Sequence, residues 1–205
     1  MVRDSDQTKG RLLAAAMAEF AEYGIAGARI DRIANAARTN KQMIYAYFGN
    51  KDGLFDTVFT EHVARWLAAV DFDVGDLPGY AGRLFDYFEA DPAALRLSTW
   101  YRLERPAGPG LKAVIEVNDL RLARLARARR DGRLPSRFEP VQLLALIQAM
   151  ATSWATMNPE FSAASAGDRD YRRATVVSAV ARLLDPAVPD PAVPDPAVPI
   201  RRAGA

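Results

Sequence analysis

The sequence predicts an all-α protein of about nine helices in two domains, and three observations carry that prediction. Apolar residues recur at three- and four-residue spacing along most of the chain, and no segment alternates with the period of two that a strand requires. Proline or a short polar residue stands at or near the head of several periodic stretches, where the missing N–H costs nothing or a side chain caps the first turn. The length of 205 residues, half of them hydrophobic and a quarter charged, accommodates a small domain beside a medium one.

The first helix is expected from about Asp6 to Tyr23, with Leu13, Met17 and Phe20 on one face and Gly24 as its stop. Two short helices follow, near Ile30–Ala37 and Lys41–Phe48. Asn50 can cap a fourth that begins at Lys51 and reaches about Val70. Further helices are expected at Pro78–Ala90, Pro92–Glu104, Pro109–Asp131, Glu139–Met157 and Arg169–Leu184. From Asp185 the chain reads DPAVP three times in succession, and six of its 13 prolines fall there. Such spacing forbids a helix and favours an extended, disordered tail over residues 185–205.

Composition narrows the chemistry. Cysteine is absent, which removes disulfide frameworks, thiol nucleophiles and Cys-bearing zinc sites together. His62 is the single histidine, so triad, multi-histidine metal and HExxH chemistry have no material to work with, and neither an enzyme nor a bound cofactor is expected. The N-terminus carries Asp4, Asp6, Lys9 and Arg11 before any apolar stretch and has no signal-peptide core. The longest uncharged run, Pro140 to Pro159, holds Gln142, Gln148, Thr152, Ser153, Thr156 and Asn158, which suits a buried helix better than a membrane span. No membrane contact and a cytoplasmic location are therefore expected.

A formal net charge of +2 announces no nucleic-acid partner, but it is unevenly distributed. Between Ala28 and Lys51, Arg29, Arg32, Arg38, Lys41 and Lys51 face a single acid, Asp31, whereas the residues before Ala28 carry more acids than bases. In that basic segment a short helix, a turn at Arg38-Thr39-Asn40 and a second short helix form the helix-turn-helix arrangement. Ile30, Ile33, Ala34 and Ala37 give the first helix an apolar face, and Ile44 and Phe48 anchor the second to it. Gln42, Met43 and Ala46 then lie opposite, free to enter a groove. Gln42 can read adenine at N6 and N7, and Met43 or Ala46 can touch a thymine methyl. Tyr45, Tyr47 and the helix N-terminus at Lys51 offer donors to phosphate oxygens.

The string IDRIANAARTNKQMIYAYFGNKDGLF resembles the DNA-binding signature of the TetR (tetracycline repressor-like) family of transcriptional regulators. Ile33-Ala34, Lys41, Tyr45-Ala46-Tyr47-Phe48 and Asn50-Lys51-Asp52-Gly53-Leu54-Phe55 carry the likeness, and Glu22-Tyr23-Gly24 upstream fits it too. Two features depart from the pattern: Ala28 and Arg29 stand where a threonine usually caps the first helix of the pair, and Arg38-Thr39-Asn40 replaces a Gly-Val-Ser turn. Arginine in a left-handed turn position costs about 1–2 kcal/mol relative to glycine. By position, the resemblance makes Lys41, Gln42, Met43 and Ala46 base-facing, and Tyr45, Tyr47, Lys51 and Arg29 phosphate-facing.

The resemblance further implies a DNA-binding domain over residues 1–50 and a larger effector-binding and dimerisation domain over 51–184. The Glu139–Met157 helix is apolar nearly all round, which demands burial on both sides. With the last helix it supplies Leu143, Ile147, Val176, Val180, Leu183 and Leu184 as candidates for the four-helix dimer interface of the family. Candidate pocket residues are His62, Trp66, Phe88, Trp100, Tyr101, Asn118, Gln148, Met150 and Trp154. Between Arg121 and Arg137, seven arginines face only Asp131, a run read as a solvated helix face. The function implied is a ligand-responsive regulator, a repressor binding a pseudo-palindromic DNA operator as a homodimer and released by a small-molecule effector. The alternatives are a helix-turn-helix scaffold for a protein partner, or a helical enzyme.

Overall fold

The computed structural model describes residues 2–105, 111–158, 160, 168–185 and 187. Apart from Asp185 and Ala187, the DPAVP tail lies outside them. Among the described residues there are nine α-helices and no strand: α1 (Val2–Gly27), α2 (Ile30–Ala36), α3 (Lys41–Phe48), α4 (Lys51–Ala69), α5 (Leu77–Ala90), α6 (Pro92–Glu104), α7 (Lys112–Arg130), α8 (Pro140–Thr152) and α9 (Arg169–Leu183).

The ends of these helices follow from short polar side chains. Asn40, Asn50, Asp76, Asp91 and Asp168 each accept a hydrogen bond from a backbone N–H in the first turn of α3, α4, α5, α6 and α9 respectively. In α1 the helical path breaks at Gly24, where φ is 71°, and a last short turn runs on to Gly27. The glycine is required twice over there, because a Cβ would also collide with Glu104 and Trp100 of α6. The helix expected to reach Met157 stops at Thr152. The hydroxyls of Thr152 and Ser153 bond back to the carbonyls of Gln148 and Met150, and the chain tightens into a 3-10 turn over Trp154–Thr156.

Two apolar clusters fill the protein. The first gathers Leu12, Ala16 and Phe20 of α1 with Ile33, Ile44, Leu54, Phe55 and Val58, and includes Leu97 from α6. Packing therefore continues past residue 50, since the first half of α4 belongs to this cluster. The second is built by Leu84, Phe85 and Phe88 of α5, Leu125 of α7, Leu143 and Ile147 of α8, and Val176 and Val180 of α9. Arg169 and Arg173 pair with Asp86, and Arg172 with Glu89, along the α5–α9 seam. Trp66 and Met17 touch both clusters. The all-round burial expected of α8 does not hold within one chain: Leu143, Leu144, Ile147 and Ala151 are buried, but Val141 and Leu146 are exposed.

Candidate nucleic-acid interface and effector cavity

Helices α2 and α3 are joined by a tight turn in which the Thr39 N–H donates to Ala34 O and the Arg38 N–H to Asn35 O. Arg38 takes φ of 53°, the left-handed conformation expected of that turn, and is the only non-glycine with positive φ among the described residues. No side chain caps α2, but the backbone at its head is held from another helix. Glu19 of α1, nearly buried, accepts from the Arg29 N–H at 2.8 Å and from Arg32 Nε at 2.7 Å. Burial alone would raise the Glu19 carboxyl, but the hydrogen bonds and charge of Arg32 and Arg29 outweigh it and hold the group below the usual carboxylate range. Arg32 also donates to Gly27 O and lies 4.2 Å over the Tyr23 ring. This Glu19–Arg32–Tyr23 brace was not foreseen, because it joins Glu19 and Tyr23 of α1 to Arg32 of α2.

Ile44 is fully buried and fixes α3 against α2, which turns Gln42, Tyr45 and Ala46 outward to solvent, with Met43 and Tyr47 half-buried beside them. Arg29 is exposed at the start of α2. Lys41 pairs with Asp31 at 2.9 Å, which holds its ammonium above the usual lysine range, and both groups are solvated, so the pair contributes little to stability. Lys51, expected to face phosphate, also has a contact within the chain. Its Nζ donates to the carbonyls of Ala26 and Ala28, tying the head of α4 to the end of α1.

A cavity of about 340 Å³ opens between α4, α5, α6 and α8, lined among others by Trp66, Phe88, Ser98, Arg102 and Gln148. A neighbouring one of about 480 Å³ shares Leu95 and Arg102 and includes Trp100 and Thr156. Of the expected pocket residues, Trp66, Phe88 and Gln148 thus come together, and Trp100 lies next door. The others do not line either cavity. Tyr101 stacks on Phe59 at 4.1 Å within the first apolar cluster. Met150 and Trp154 pack against the second, and Asn118 stands half-buried on α7. His62 is 1% exposed, with Nε2 at 3.2 Å from the Ser98 hydroxyl, so it backs the cavity wall rather than facing the space. Desolvation, with Arg65 nearby, depresses it to about 4, and it is neutral at pH 7.

The family model of the tetR-family bacterial regulatory proteins matches residues 12–58, which hold the braced helix-turn-helix, and that of the tetracyclin repressor-like C-terminal domain matches residues 76–182. The HTH-type transcriptional repressor SCO4008 of Streptomyces coelicolor is 39% identical over 191 residues, 89% of this chain and 98% of its own. The chain belongs to the TetR family. It is a ligand-responsive, DNA-binding transcriptional repressor, and the family is one of regulators rather than enzymes. The HTH-type repressor NicS of Pseudomonas putida is 41% identical over a shorter stretch, 30% of this chain and 28% of its own. The crystal structure of Streptomyces coelicolor SCO4942 superposes with a TM-score of 0.77 at 41% identity, covering 90% of this chain and 99% of that one.

In this TetR-family protein, α6 joins the cavity to the DNA-binding helices. Its Ser98, Thr99 and Arg102 line cavities, while its end grips the N-terminal helices. The Trp100 indole donates to Ala21 O, the Ala26 N–H donates to Glu104 Oε2 at 2.8 Å, and Arg105 binds Asp52 at 2.7 Å and Asp56 at 2.8 Å. The residues expected at a dimer interface divide. Leu143, Ile147, Val176 and Val180 are buried inside the chain and serve its own core, whereas Leu183 and Leu184 are half-buried. The large apolar residues that α8 and α9 leave exposed are Val141, Leu146 and Tyr171. No helix is long and apolar enough to cross a membrane, and no His/Asp/Glu cluster suited to a metal occurs among the described residues.

Proposed function

We propose that this TetR-family repressor binds a pseudo-palindromic operator as a homodimer in the cytoplasm, and that a small molecule seated beside Trp66, Phe88 and Gln148 releases it. Residues 1–50 serve DNA recognition, and residues 51–184 serve effector binding and pairing. Two recognition helices about 34–36 Å apart would enter successive major grooves. Lys41, Gln42, Met43 and Ala46 face base edges, and Arg29, Tyr45 and Tyr47 face phosphates. Lys51 contributes through the backbone it anchors and through its charge.

The observation that carries this reading is the double role of α6, which walls the cavity at one end and holds Ala26, Asp52 and Asp56 at the other. A ligand that shifts α6 must shift α1 and α4, and with them the spacing of the paired recognition helices. A coupling of about 1–3 kcal/mol suffices to change operator occupancy. The test is fluorescence anisotropy with DNA from upstream of the chain's own gene, at two salt concentrations. Gln42→Ala should flatten the difference between this DNA and random DNA, whereas Arg29→Ala should weaken both and lower the salt slope by about one. Equal affinity for both DNAs in the unsubstituted protein would falsify sequence-specific binding.

A further inference from the structure

Arg121 departs from the solvated arginine face that its neighbours suggest. It is only 5% exposed, and its Nη1 has no hydrogen-bond partner. Its guanidinium carbon lies 4.6 Å from the Trp66 ring, 5.1 Å from Phe72 and 5.7 Å from Tyr80. The charges close to it are Tyr80, itself neutral at pH 7, and Arg124, which is of like sign. Burial disfavours its protonated form, yet a guanidinium stays charged throughout the physiological range. Ring faces offset part of the lost hydration, but they satisfy no N–H of the fork. The Tyr80 hydroxyl beside it is buried as well and is turned towards the Gln148 amide, so it supplies no charge to the guanidinium. A cation buried in this way calls for an anion that the chain itself does not supply.

The arginine also lines a cavity of about 360 Å³ at the seam of α4 and α7. Leu67, Phe72 and Val117 give it apolar walls, Arg124 adds a second cation 5.2 Å from the Phe72 ring, and Asp71 is its one acid. This space is separate from the cavity beside Phe88 and Gln148, although Trp66 lines that one and carries Arg121 over its ring.

We infer that the α4–α7 seam binds an amphipathic organic monoanion, its carboxylate held by Arg121 and Arg124 and its apolar body against Leu67, Phe72 and Val117. The forked guanidinium matches a carboxylate in two parallel hydrogen bonds. The apolar walls disfavour a strongly hydrated inorganic anion, and Asp71 disfavours a dianion. Leu67 and Ala68 of the lining belong to the last turn of α4, the helix that begins at Lys51 beside the recognition helix, so occupancy acts on the far end of that lever. Taking the anion for an effector rests on the repressor reading above. Its binding does not.

The test uses the full chain without DNA, followed by tryptophan fluorescence and thermal shift. The probes are hexanoate, decanoate, 4-phenylbutyrate and 2-naphthoate, each against its neutral primary amide, with sodium sulfate as a simple anion. At least one acid should bind at least about tenfold more tightly than its amide, with sulfate inert. Arg121→Met should weaken that acid at least about tenfold, and Arg124→Gln, at an exposed position, severalfold with an unchanged melting temperature. Should Arg121→Met fail to fold, the acid–amide ratio and Arg124→Gln decide the matter. Equal binding of acid and amide, wild-type affinity in both variants, or no response to any acid would overturn the site. Operator DNA is then added: release by the acid in wild type but not in Arg124→Gln supports the effector role. Acid binding without release removes that role and leaves the site, and absence of specific DNA binding overturns only the repressor reading.

Discussion

Three residues hold measurable consequences out of proportion to their size. Arg38 occupies a left-handed turn that disfavours a side chain, at an exposed position where its own contacts are few. Arg38→Gly should raise stability by about 1 kcal/mol, seen as a melting temperature higher by about 2–4 °C. A fall would mean that the guanidinium contributes more than the backbone strain removes. His62 binds a proton near pH 6.5 when unfolded but only near about 4 when folded. The unfolded chain therefore holds more protons between those values, and stability decreases as pH drops from 6.5 towards 4. By pH 5 that loss amounts to about 2 kcal/mol, and His62→Gln should remove it from a series of melting curves between pH 7.5 and 5. Glu19 acts in a lower window. With its folded value below the ordinary 4.5, its contribution is present above that pH and is lost as pH falls through the folded value. Glu19→Ala leaves the Arg29 N–H and Arg32 Nε without their shared acceptor, and should lower both the melting temperature and DNA affinity at pH 7.

At the scale of elements, the helix-turn-helix was legible because its determinants are local. Asn40 and Asn50 cap the helices they were expected to cap, and Ile44 faces the core as its spacing demands. What was hidden is contact across distance in the chain. Glu19 holds the Arg29 N–H ten residues away, Lys51 reaches back 23 residues to Ala28 O, and Arg121 looked like one more member of a solvated run until α4 and α5 enclosed it. The pocket was half legible, since a stripe of large residues does not say which member faces the space and which faces a neighbour, as Tyr101 and Trp66 illustrate. The joint at the end of α6 was beyond reach for the same reason. Arg105→Met breaks both of its ion pairs with α4 while keeping much of its volume. Operator affinity should change little, but the concentration of effector needed for release should shift severalfold. Release at the wild-type concentration would place the coupling elsewhere.

At the scale of the molecule, a chain that buries Leu143, Ile147, Val176 and Val180 for itself still leaves Val141 and Leu146 in water on α8 and Tyr171 on α9. In the homodimer proposed above, these exposed apolar side chains on the two helices that close the second core are the candidates to meet a second copy of the same surface. Leu146→Arg should yield a folded monomer by light scattering at micromolar concentration, with operator binding weakened at least about tenfold, because one half-site is then held alone. A dimer that survives the substitution moves the interface to another face.

The segment around Gly24 carries one more consequence. Gly24 admits no side chain, the Ala26 N–H is held by α6, and the carbonyls of Ala26 and Ala28 are held by Lys51. Three helices thus converge on five residues that line neither effector cavity and precede the two helices of the helix-turn-helix. A genetic selection for variants deaf to inducer should therefore draw its survivors from this crossing as well as from the cavity wall. It is the place where one altered residue can silence a message without harming either its sender or its reader.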